Sequence, residues 1–140
     1  MKILFDYIYQ LNWVAILVAS SVGVLINAVW YSDELFGKVW RKATHLKKKD
    51  IQRPEVNVTL FIIFFLFFIS SAAIAILIDV LHISGAWNGL LIGLLAGFGF
   101  MLTNNGIHKL YEQRPFTLFV VTAVGDLLTM GAIGVILALV

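Results

Sequence analysis

Asp126 is the residue of this 140-residue chain whose chemistry most needs an explanation. It stands inside an apolar run from Phe116 to Val140, with Thr122 and Thr129 about one helical turn away on either side. An aspartate at the centre of a membrane span costs roughly 2.5–3.5 kcal/mol, whereas each Leu, Ile, Phe or Val returns only about 0.3–0.6 kcal/mol. The run contains fourteen residues of those four types, so it still inserts. The carboxyl group is therefore expected to face protein or water rather than lipid. Two roles fit that position. In one, Asp126 is a proton or cation site on a polar path shared with Asn27 and Asn104. In the other, preferred here, it hydrogen-bonds a neighbouring helix or an identical subunit.

Other reactive constellations are sparse. His108 and Glu112 are four residues apart, a spacing that suits a metal pair, but two ligands do not make a metal site. The chain has no cysteine nucleophile, no HExxH, no GxSxG and no phosphate-binding glycine loop. No catalytic residue, metal or cofactor is expected, and the protein is not read as an enzyme. Arg114, just before Pro115, is expected to pair with Glu112 or with a lipid phosphate. Nucleic-acid binding needs a coherent basic face on a soluble module, and none is present.

The elements that must position Asp126 follow from hydropathy. Residues are 61% hydrophobic and 13% charged, with a mean hydropathy of +0.95. Four apolar stretches, about 13–31, 56–79, 86–107 and 116–140, each approach the roughly 20 residues needed to cross a hydrocarbon core. The expected fold is all-α: a four-helix transmembrane bundle forming a single domain over 1–140. The basic residues set its orientation. Lys38, Arg41, Lys42, Lys47, Lys48, Lys49 and Arg53 follow the first span, and Lys109 and Arg114 follow the third. Only Lys2, of the ten basic residues, lies elsewhere. By the positive-inside rule these two connections face the cytoplasm and both termini lie outside.

The first connection is itself patterned. Leu35, Phe36, Val39, Trp40, Ala43 and Leu46 recur at helical spacing, with the basic residues elsewhere on the wheel. An amphipathic helix over about 33–48, lying at the membrane interface, is expected. Its lysines and arginines, with Arg114, are candidate contacts for lipid headgroups, and sensing of anionic lipid is a third functional possibility. A topological anchor is the preferred reading of this segment.

Lipid tails give helices no hydrophobic reason to associate, so small residues that permit close approach should carry the packing. Ala15, Ala19 and Gly23 are spaced by four and lead to Asn27. Gly89, Gly93, Ala96 and Gly97 share one arc that leads to Thr103 and Asn104. Thr122, Gly125, Asp126, Thr129 and Ala132 share another. The second span carries Phe61, Phe64, Phe65, Phe67 and Phe68 on all sides and is expected to face lipid. Stripes of this kind in so small a bundle favour a homo-oligomer.

Several short motifs are distinctive. Asn12-Trp13, Trp30-Tyr31-Ser32, Leu35-Phe36-Gly37-Lys38 and Trp40, with Glu112, Arg114, Pro115 and Phe119 before the last span, resemble the DUF1761 family of small prokaryotic membrane proteins. The resemblance covers nearly the whole chain. It implies four spans in a bacterial or archaeal cytoplasmic membrane, and it supplies neither substrate nor catalytic residue.

Overall fold

A computed structural model describes residues 8–45 and 56–140 of the chain. The described residues are helical apart from turns and short links: α1 Trp13–Trp30, α2 Gly37–Thr44, α3 Val56–Val80, α4 Ala86–Ala96, a π-helical turn Gly97–Leu102, α5 Thr103–Tyr111 and α6 Phe116–Ala138. α4, the π turn and α5 form one continuous rod, so four rods are long and apolar enough to cross a membrane. The third continues to Tyr111, four residues past the expected end.

Local chemistry sets the ends. Asn12 caps α1, its Oδ1 accepting the Ala15 N–H at 3.1 Å, which satisfies one of the donors a helix start leaves free. Gly85 adopts φ +88°, which a residue with a Cβ rarely tolerates, just before α4. Its N–H reaches the Ala138 carbonyl at 3.0 Å and ties the start of α4 to the end of α6.

α6 is the hub and packs against α1, α3 and α4. Ile16, Ala19, Ile74, Ile78, Met130 and Ile133 lie buried together in one half of the bundle. Gly23 abuts the Phe67 ring, and Ala15 and Ala19 are enclosed, so the small stripe of α1 serves α3 and α6. α3 does turn Phe61 and Phe65 outward, but it also inserts Ser71, Ile74 and Ile78 into the interior. The third rod is the least buried of the four and the fourth is the most buried. Low burial therefore marks the third span more than the second.

The connection after α1 differs from a helix over 33–48. Residues 31–36 turn tightly, and among the described residues the helix begins at Gly37. The Phe36 N–H bonds the Trp30 carbonyl at 3.1 Å, and the Gly37 N–H bonds that of Ser32 at 2.8 Å. The Phe36 ring stacks 4.3 Å from Trp30, and this contact folds the chain back before it can wind. Lys47, Lys48 and Lys49, with Leu46, lie outside the described residues.

Candidate functional site

The polar groups gather where α5, α6 and the end of α1 meet. Asp126 is half-buried, and its Oδ2 accepts Asn105 Nδ2 at 2.7 Å. Along a helix the Cα–Cβ bonds lean toward the N-terminus. The third and fourth rods run antiparallel, so the two side chains lean toward each other. Asn104, which shares an arc with Gly89, Gly93 and Gly97 in an unbroken α-helix, is exposed instead.

The π turn accounts for the exchange. An α-helix advances about 100° per residue, which places Asn104 about 60° and Asn105 about 160° from Gly89. A π-helical turn accommodates one extra residue. Everything after it lags by about one step, so Asn105 takes the direction that continuous α-winding gives Asn104.

Trp30 closes the site from α1. Its indole Nε1 donates to the Val121 carbonyl at 3.0 Å and lies directly over Gly125, where a Cβ would stand 2.7 Å from that nitrogen. Tyr31 follows, half-buried at the end of α1. Tyr31 also meets Trp40 of α2 edge-on, with centroids 5.7 Å apart. Asn27 is half-buried one turn earlier on α1.

The two threonines do not reach Asp126. Thr122 Oγ1 donates to the Leu118 carbonyl at 2.9 Å, and Thr129 Oγ1 donates to the Gly125 carbonyl at 2.8 Å. Bonding to the carbonyl four residues back is the usual recourse of a helical hydroxyl. The partner of Asp126 is thus an amide on another helix.

Beyond this site, the third span meets the fourth backbone to backbone. Gly89 and Gly93 face Gly134 and Met130, and Gly97 touches Leu127 and Met130. Gly134 is not among the expected packing positions, because at about 100° per residue it falls outside the arc that runs through Asp126. At the end that carries Lys109, Arg114 binds the Glu112 carboxylate through Nε at 2.6 Å, and His108 Nδ1 lies 2.9 Å from the same carboxylate. Arg114, and to a lesser degree His108, hold the Glu112 carboxyl below its ordinary range. Arg41 is paired with Asp33, while Lys38 and Lys42 are exposed. Among the described residues no three His, Cys, Asp or Glu side chains group as a metal site would require.

The family model for DUF1761, described as a protein of unknown function, matches residues 14–138. No curated protein and no solved structure matches the chain. The chain belongs to the DUF1761 family.

Proposed function

We propose that this DUF1761 protein is a non-catalytic membrane bundle, in which Asp126 is a structural clamp between helices and which acts by associating with copies of itself or with a membrane partner. The observation that carries this reading is the Asn105–Asp126 hydrogen bond, because it commits the carboxylate to a neighbouring helix. The Trp30 indole over Gly125 supports it by covering the same region from α1. The basic residues in the first and third connections support an orientation with those loops on the cytoplasmic side of a prokaryotic membrane and both termini outside.

A second reading makes the region a path for protons or small cations. It is favoured by the half-buried state of Asp126 near the middle of its span, and Asn27 is half-buried on α1. Reconstitution separates the two readings. Asp126→Asn keeps a hydrogen-bonding side chain but removes ionisation. On the clamp reading, proteoliposomes show no protein-dependent proton or cation flux with either protein. Flux through the wild type that Asp126→Asn abolishes would instead establish the path. Chemical cross-linking in native membranes tests self-association, and a species that remains monomeric there excludes it.

A further inference from the structure

The π turn, the tandem asparagines and the open surroundings of both suggest more than a fixed clamp. We infer that the third span has two registers, and that Asn104 and Asn105 exchange as the donor to Asp126 when the π turn relaxes to α-helix. The inference rests on the clamp reading and specifies how that clamp is regulated.

Three observations support it. First, relaxation turns α5 by about 100°, one residue's worth, and this carries Asn104 into the direction that Asn105 now occupies. Two adjacent amides mean that Asp126 keeps a donor in either register. Second, nothing obstructs the turn on its outer side. Phe98 and Phe100 are exposed, and a Cβ on Gly99 would meet no atom within 4 Å. Third, there is room where α5 passes α6. A Cβ on Gly106 would lie 3.7 Å from the Phe119 ring, an ordinary contact, so the Cβ of an Asn105 that rotates into this place is accommodated. The segment before the turn, in contrast, is pinned. A Cβ on Gly89 or Gly93 would collide with the Gly134 or Met130 carbonyl. Motion is therefore confined to α5, and the exchange swings His108, Lys109 and Tyr111 around the rod at the basic end.

The absence of native cysteine makes the test clean, since introduced thiols are the only ones. Gly106→Cys and Phe119→Cys are combined and treated in membranes with a short bifunctional thiol reagent, which reports the present register. The measurement is repeated with Asn104→Leu, with Asn105→Leu and with both. Asn105→Leu should cut the cross-linked yield about three- to thirtyfold, the range that one interhelical hydrogen bond in a membrane commands. Helicity and elution should remain those of the parent, because Asn104 replaces the lost donor. Asn104→Leu should not lower the yield, and the double variant should lose thermal stability beyond either single change. Equal yields in all backgrounds, or an Asn105→Leu protein as unstable as the double variant, would overturn the inference. Failure of the clamp itself would appear separately, as an Asp126→Leu protein of undiminished stability.

Discussion

Gly93 lies so close to Met130 that a Cβ on the glycine would stand 2.1 Å from the methionine carbonyl oxygen. One turn along, a Cβ on Gly134 would come equally close to the Gly89 carbonyl. Both obstacles are backbone atoms, which cannot swing aside as a side chain can. The helices approach here main chain to main chain, and in lipid such close packing is what holds them together.

Adding a methyl group at this crossing should therefore separate the rods. Gly93→Ala or Gly134→Ala is expected to destabilise the bundle by about 1–3 kcal/mol, the range for overpacking, in unfolding from mixed micelles. Gly99→Ala is the control, because its methyl group meets nothing. It should be neutral or stabilising by up to about 1 kcal/mol. Equal effects at Gly134 and Gly99 would contradict the crossing.

Asp126→Leu removes the acceptor that joins α5 to α6 and should cost about 1–2 kcal/mol of that packing. Asp126→Asn retains an acceptor oxygen and should lose less. A leucine variant as stable as the asparagine variant, compared in the same micelles, would argue against the clamp.

Trp30→Phe forfeits the N–H that reaches the Val121 carbonyl, a loss of about 1 kcal/mol. Gly125→Ala drives a methyl group into the same indole and should be similarly costly. Residues in contact do not contribute independently. The double variant should be less impaired than the sum of the two, and strict additivity would mean that the ring does not rest on Gly125.

Glu112 supplies a pH dependence. Its carboxyl is held below its ordinary value of 4.5, first by Arg114. A depressed folded-state value means that the contribution is present above about pH 4.5 and is lost as the pH falls through the folded value. The Glu112–Arg114 turn should thus loosen only in acid, seen as faster proteolysis there. Arg114→Gln should shift the onset of cleavage to higher pH. An unchanged onset would show that Arg114 does not hold the carboxylate.

Four long apolar helices were legible because stretches this long and apolar admit few alternatives, and an aspartate inside one of them was legible for the same reason. The identity of its partner was not. The segment Gly97–Leu102 reads GFGFML, apolar throughout, so α- and π-winding leave the same hydropathy pattern and the one-residue lag is invisible. Hence the arc drawn from Gly89 arrives at Asn104, while the bond is made by Asn105. Thr122 and Thr129 share the arc of Asp126, but helical hydroxyls have carbonyls of their own within reach. Trp30 carries a family-like motif and still gives no hint that its indole crosses to Val121, a contact ninety-one residues away in sequence. Leu35 and Phe36 continue the periodicity of α2, yet the Phe36–Trp30 stack holds them in a turn.

The central position of α6 bears on how the protein is made. α1, α3 and the third rod all lean on a helix that emerges from the ribosome after them. Until it arrives, Gly89 and Gly93 have no backbone to close upon and the Trp30 indole has no carbonyl to reach. Before that, α1 and α3 have each other to pack against, while the third rod lacks its main neighbour. The bundle therefore closes only when the fourth rod joins the other three.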